Sequence, residues 1–188
     1  MSLSHATLGL LTVMPMTGYD LKNQAFDSTI AHFWQADQAQ IYRTLTAMAD
    51  AGWVESRLEI QEERPNRKVY HITQAGRAEL LRWMQTEQPL PVNREAFLIQ
   101  LFFGGMLPND AILNQIERQR AGHAERLARY TEIPTPPLDE RDLDRDRVFW
   151  RLTLELGIAL EQTYLRWLEM CAATIETLRP PPTSGSIG

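Results

Sequence analysis

The sequence predicts a mainly α-helical chain in which one β-hairpin lies between a third helix and a fourth. Three observations carry that class. Apolar residues recur at helical spacing through most of the chain. Their period switches to the alternation of a strand only between Trp53 and Thr73. Proline-bearing breaks at EQPLPVN (87–93), IPTPPLDERD (133–142) and RPPPTSGSIG (179–188) cut the chain into blocks. The expected organisation is an N-terminal domain over 1–88, a helical C-terminal domain over 89–178 and a disordered tail over 179–188. The tail is too rich in Pro, Gly and Ser to pack.

Each element follows from its local signals. LSHATLGLLTVM (3–14) carries Leu3, Ala6, Leu10, Leu11 and Met14 on one helical face, and Pro15 ends that helix. Thr17 offers an N-cap with Asp20 three residues on, a capping-box start for TGYDLKNQAF. A third helix begins at Asp37, with Gln40 in the reciprocal position. Its apolar face is Ile41, Leu45, Met48 and Ala49, and Gly52 stands where a helix stops. Its opposite face holds Gln40, Arg43, Ala47 and Asp50, flanked by Gln38, Tyr42 and Thr46.

In WVESRLEI, Val54, Ser56, Leu58 and Ile60 alternate with Trp53, Glu55, Arg57 and Glu59; in RKVYHIT, Tyr70 and Ile72 share a face. The polar loop QEERPN joins the two runs into a hairpin. Thr73 can cap a fourth helix, TQAGRAELLRWMQ.

In the C-terminal block, Gly104-Gly105 reads as a helix end. DERDLDRDR (139–147) interleaves acids with arginines and reads as a salt-laced helix start. A final helix over about 145–178 would carry Phe149, Leu152, Leu156, Leu160, Trp167, Leu168, Cys171, Ile175 and Leu178. That apolar breadth exceeds a coiled-coil seam and calls for a partner subunit.

Composition excludes several classes. At 188 residues, with 44% hydrophobic and 23% charged, the chain can bury a real core. The single cysteine, Cys171, rules out an internal disulfide and favours a cytoplasmic location. No apolar run reaches the roughly 18–20 residues that span a bilayer, and MSLSHATLGLL lacks the features of a signal peptide, so no membrane role is expected. His5, His32, His71 and His123 lack metal-ligand spacing, and no phosphate loop, nucleophile elbow or paired-acid arrangement occurs. No cofactor and no catalysis are expected. The net charge of −5 gives no general support to nucleic-acid binding, but charge acts locally across a screening length of about 10 Å.

Three helices followed by a two-stranded ribbon form the layout of a winged helix-turn-helix. In that layout the third helix enters the major groove of double-stranded DNA while the loop grips backbone. The same loop, with Glu62 and Glu63 beside its bases, can also be a plain solvated turn.

The chain also resembles the PadR family of bacterial transcriptional regulators. The words that carry the resemblance are LLTVMPMTGYDLK (10–22), FWQADQAQIYRTLTAMADAGWVES (33–56) and RPNRKVYHITQAGRAEL (64–80). FLIQLFFGGMLPNDAILNQIERQRAGHAERLARY (97–130) and FWRLTLELGIALEQTYLRWLE (149–169) are similar to the C-terminal region of the long, virulence-activator subgroup. The resemblance spans about residues 3–178. It implies a homodimer with a DNA-binding head, a helical dimerisation region and, in some relatives, a response to phenolic acids or hydrophobic drugs. One departure stands out: relatives lead into the recognition helix with a Ser-Pro-Gly-Thr-like sequence, whereas here it reads Ala36-Asp37-Gln38-Ala39-Gln40.

The candidate DNA-binding residues are Tyr19, Gln38, Gln40, Tyr42, Arg43, Arg64, Asn66, Arg67 and Lys68. Tyr19 and Tyr42 match aromatic positions of the family's DNA face; the alternative is packing between helices two and three. Arg43 suits a guanine edge or a phosphate, and Gln38 and Gln40 suit adenine. Arg64, Arg67 and Lys68 suit phosphates, with Pro65 and Asn66 turning the tip. Trp150, Tyr164 and Trp167 are candidate walls of a site for a small aromatic or hydrophobic effector, against the alternative of a packed dimer seam. Phe149, Leu152, Leu156, Leu160, Leu168, Cys171 and Ile175 are the candidate dimerisation residues. The rival to a homodimeric regulator, a repressor rather than an activator, is a winged-helix effector-binding or protein-interaction module without sequence-specific DNA recognition.

Overall fold

A computed structural model describes residues 2–60, 66–134 and 144–179 and divides the chain into two compact units, Met1–Leu90 and Pro91–Gly188. The first unit runs α1 (Ser2–Val13), β1 (Met16–Thr17), α2 (Gly18–Asp20), α3 (Gln38–Asp50), β2 (Val54–Glu59), β3 (Arg67–Ile72) and α4 (Gln74–Met84). From Leu21 to Thr29, α2 continues in wider, π-helical turns; the Ile30 N–H donates to the Ala25 carbonyl, five residues back, at 3.0 Å. The result is a winged helix-turn-helix.

The helix starts obey their caps. The Thr17 hydroxyl accepts from the Asp20 N–H at 3.0 Å, and the Asp20 carboxylate accepts from the Thr17 N–H at 3.1 Å. Asp37 and Gln40 make the same reciprocal pair at the head of α3, at 2.7 and 3.2 Å. Such pairs satisfy donors that a helix N-terminus otherwise leaves bare. Past α3 the chain reverses at Gly52, whose φ of +72° is open to glycine at no steric cost.

The core of this unit is Leu8, Leu11, Leu21, Phe26, Ile41, Leu45, Met48, Val54, Tyr70 and Leu80. On α1 the inward stripe is centred on Leu8 and Leu11, with Leu3, Ala6 and Leu10 at its edge and Met14 half exposed. The expected face was therefore rotated: α1 stops at Val13, and Leu8 rather than Met14 meets the core. Ala49 is likewise exposed, because Ile41, Leu45 and Met48 alone fill the contact behind α3.

The sheet differs from the expected two-stranded ribbon. It has three antiparallel strands in the order β1-β3-β2, with Thr17 opposite Val69 and Ser56 opposite Tyr70. A two-residue strand is too short to show a period, so β1 left no signal in the sequence. Burial in the hairpin is confined to its base. Val54, Val69 and Tyr70 are buried, while Leu58 and Ile60 project with 64% and 82% of their surface exposed. Arg67 and Lys68, expected at the loop tip, are the first residues of β3. The loop residues 61–65, with Glu62, Glu63, Arg64 and Pro65, lie outside the described residues.

Behind the hairpin, the Thr73 hydroxyl caps α4 by accepting from the Gly76 N–H at 3.1 Å and donates to the Gly52 carbonyl at 2.7 Å. Gly76 has no room for a side chain: a Cβ there would stand 2.1 Å from the Trp53 carbonyl oxygen.

The second unit contains α5 (Ala96–Phe102), a 3-10 turn (Gly104–Met106), α6 (Asn109–Thr131) and α7 (Arg145–Glu176). Its core joins Phe97, Ile112, Ile116 and Leu168, with Leu101, Trp167, Cys171, Ala172 and Ile175 packed around them. The expected dimerisation set therefore divides. Leu168, Cys171 and Ile175 serve this internal core, because they share the inward face of α7 with the buried Leu154, Gly157 and Glu161. Phe149, Leu152, Leu156 and Leu160 lie on a different face and remain 49–61% exposed. Asp144 caps α7, so the helix begins after most of the charged run 139–147, of which 139–143 lie outside the described residues. The tail over 180–188 lies outside them too. Among the described residues no helix is long and apolar enough to cross a membrane, and no cluster of potential metal ligands occurs.

Candidate nucleic-acid interface

The exposed face of α3 is built by its buried one. Ile41, Leu45 and Met48 are at most 1% exposed, which fixes the rotation of the helix and leaves Gln38, Gln40, Tyr42, Arg43, Thr46, Ala47 and Asp50 outside. A groove of about 460 Å³ runs beside this face, lined by Gln40, Arg43, Thr44 and Ala47 of α3 and by Leu3, Ser4, Trp34 and Gln35. Arg43 lines it with a side chain that carries five N–H donors.

The capping box constrains the two glutamines unequally. The side-chain oxygen of Gln40 accepts the Asp37 N–H, which engages one of its two lone pairs and ties the amide to the cap. Gln38 carries no such tie among the described hydrogen bonds and has both amide groups for a base edge. Asp37 itself accepts from the Gln40 N–H, which keeps its carboxylate turned to the helix end. The unusual lead-in is thus a working cap.

The wing residues split as well. Asn66, Arg67 and Lys68 are exposed. The Lys68 ammonium lies 5.4 Å from the Tyr70 ring centroid, a cation–π contact that lays its stem along the sheet. Arg67 donates to Asp20 at 3.2 Å, across to the start of α2. Arg64 lies outside the described residues.

Two family models match the chain consecutively. The PadR-like transcriptional regulator family covers residues 7–82, and the virulence activator α C-terminal family covers 93–176. The probable transcriptional regulator Rv1176c of Mycobacterium tuberculosis is 32% identical over 95% of this chain and 100% of its own length. This chain belongs to the PadR-like family. The negative transcriptional regulator PadR of Bacillus subtilis is 28% identical over 93% of this chain and 97% of its own length. The crystal structure of that protein with operator DNA matches at a TM-score of 0.78 and 26% identity, covering 93% of this chain and 99% of that one. Its structure with p-coumaric acid matches at 0.72 and 25%, covering 94% and 99%. The Vibrio cholerae virulence activator AphA matches at 0.74 and 28%, covering 94% and 99%.

Two of the sequence words that this PadR-like chain shares with its family touch each other. A Cβ on Gly18, in GYDLK, would fall 2.6 Å from the Tyr42 ring, in IYRTL. The ring therefore seats on the bare backbone at the start of α2, which sets the spacing of α2 and α3. The packing alternative for Tyr42 holds: its ring lies against α2, and 43% of the residue stays exposed. Tyr19 is 64% exposed.

In the second unit, Tyr164 and Trp167 form an edge-to-face pair at 5.9 Å and line a small cavity of about 170 Å³ with Leu98 and Thr163. Trp150 does not join them. It stands 17 residues earlier on α7, about 25 Å along a helix that rises about 1.5 Å per residue, so the expected aromatic trio is a pair. Sequence reasoning missed the polar seam behind this pair. The buried His123 lies 2.5 Å from Glu161, Arg126 approaches the same carboxylate at 3.4 Å, and Tyr164 stacks on His123 at 4.4 Å. Tyr164 donates to Glu95, and burial together with that carboxylate pushes its phenol up to about 12. His123 and Glu161 are 38 residues apart, and only α6 packing against α7 brings them together.

Proposed function

We propose that this PadR-like regulator is a cytoplasmic homodimeric repressor that recognises a pseudo-palindromic operator in double-stranded DNA. The observation that carries the reading is the polar outer face of α3, fixed by its wholly buried inner face. Arg43 and Gln38 read base edges there, Tyr19 and Tyr42 add hydroxyl contacts, and Gln40 offers its amide N–H groups. Asn66, Arg67 and Lys68, with Arg64 in the wing loop, hold phosphates. The exposed stripe Phe149, Leu152, Leu156 and Leu160 supports pairing through α7. Two heads on a two-fold axis would read half-sites about 34 Å apart. Repression is favoured by the name of the Bacillus subtilis relative, a negative regulator.

The same chain takes a small aromatic or hydrophobic effector. The cavity at Tyr164 and Trp167, at about 170 Å³, is below the size of drug-sized pockets and suits a single-ring compound. The Bacillus subtilis PadR complex with p-coumaric acid, a compound of that size, supports this reading.

Fluorescence anisotropy on DNA fragments flanking the protein's own gene tests the DNA reading. Arg43→Ala is expected to relax base preference at one position by about 1–3 kcal/mol. Arg67→Ala is expected to weaken all sequences evenly and lower the salt slope by about one. Equal, sequence-independent losses for both variants would remove this division of labour. Failure to bind any genomic fragment at low salt would leave the chain a winged module without DNA recognition.

A further inference from the structure

The geometry points to Asp20 as a positioning residue for DNA binding: the acid that caps α2 also aims the guanidinium of Arg67, so that the helix-turn-helix and the wing engage a duplex as one piece. This rests on the reading of Arg67 as a phosphate-holding residue and goes beyond it.

Asp20 accepts from the Thr17 N–H at 3.1 Å, from the Thr17 hydroxyl at 2.8 Å and from Gln24 at 3.1 Å. Four interactions hold it, counting Arg67 at 3.2 Å, and its side chain is only 18% exposed. It is therefore a fixed point on which a longer side chain can be aligned. Arg67 is the more exposed partner, 45% exposed at the first position of β3. A single N–H of its planar fork is used on Asp20. The remaining donors of a guanidinium lie in the same plane and face elsewhere, open to a phosphate oxygen.

Backbone pairing supports the alignment. Thr17 pairs with Val69, so the capping box of α2 is hydrogen-bonded into the strand that carries Arg67. Two independent ties, the β1–β3 ladder and the Asp20–Arg67 bridge, thus join helix two to the base of the wing. Orientation matters because a long arginine held in one rotamer loses less freedom when it binds than a free one.

This assignment makes an outcome that net charge opposes. Asp20→Asn removes a negative charge near DNA, which on simple electrostatics strengthens binding. Through loss of the aimed guanidinium it should instead weaken binding, by about fivefold, while Arg67→Ala costs about tenfold, the scale of one charge-assisted contact. Arg67→Lys, which keeps the charge without the fork, should resemble Asp20→Asn.

A double-mutant cycle on a bound DNA fragment decides the matter, with thermal melting of each variant as a control for folding. The expected result is that Asp20→Asn no longer weakens binding once Arg67 is alanine. Tighter or unchanged binding by Asp20→Asn, or an equal loss in both backgrounds, would overturn the assignment and leave Asp20 a helix cap only. No loss on Arg67→Ala alone would instead sink the phosphate-holding role on which the assignment stands.

Discussion

On the proposed pairing through α7, removing apolar surface from its first half should separate two subunits without unfolding either one. In the protomer Leu152 and Leu156 are 49% and 61% exposed, so roughly half of each side chain remains for a partner to cover. Full burial of a leucine is worth about 1.5–3 kcal/mol, which makes the uncovered half about 1 kcal/mol per residue. A two-fold axis uses each residue twice. Leu152→Ala combined with Leu156→Ala therefore removes four such contributions, about 3–4 kcal/mol. At about 1.4 kcal/mol per tenfold, the dissociation constant rises between about 100- and 1,000-fold. Sedimentation velocity over a dilution series measures it, with circular dichroism to follow helix content. Leu168→Ala provides the contrast. That residue is 0% exposed within one unit, so its truncation should cost about 2–5 kcal/mol of protomer stability. A double variant that associates like the parent would refute the assignment of this stripe to the dimer. So would a parent that is monomeric at micromolar concentration.

Two further outcomes follow from particular contacts. Gly76→Ala places a Cβ 2.1 Å from the Trp53 carbonyl oxygen, and backbone cannot swing aside. Its melting temperature should fall by several degrees, consistent with an overpacking cost of about 1–3 kcal/mol; a rise, as helix propensity alone favours, would contradict the contact. The Arg82 guanidinium, and secondarily His5, hold the Glu79 carboxyl down to about 2. A depressed carboxylate contributes stability above its unfolded value and loses it as protons return. Stability from this pair should thus be complete above about pH 4.5 and fade as pH falls toward 2. Melting temperatures across that window should fall less steeply for Glu79→Gln than for the parent, and parallel slopes would count against the pairing.

Much of the fold was legible because its signals are local. Asp37 and Gln40, Thr17 and Asp20, and Thr73 before Gly76 are caps written within four residues, and each formed as the spacing required. The buried stripe Ile41, Leu45 and Met48 followed from helical periodicity, and with it the outward placement of Arg43. What misled was breadth. The final helix is apolar over more than one face, and periodicity alone does not say which part meets its own chain.

The sequence by itself determined the order of helices and hairpin, the helix starts, the stop at Gly52 and the family to which the chain belongs. Caps, periods and words are properties of neighbouring residues, and the chain carries them before it folds. Only the tertiary structure decided that Leu168, Cys171 and Ile175 turn inward while Leu152 and Leu156 stay out. It also decided that Tyr42 seats on Gly18, that His123 meets Glu161, and that Arg67 reaches Asp20 across 47 residues. Each of these pairs joins positions far apart in the chain, where no spacing rule operates. Their proximity is set by which faces the elements bury against one another.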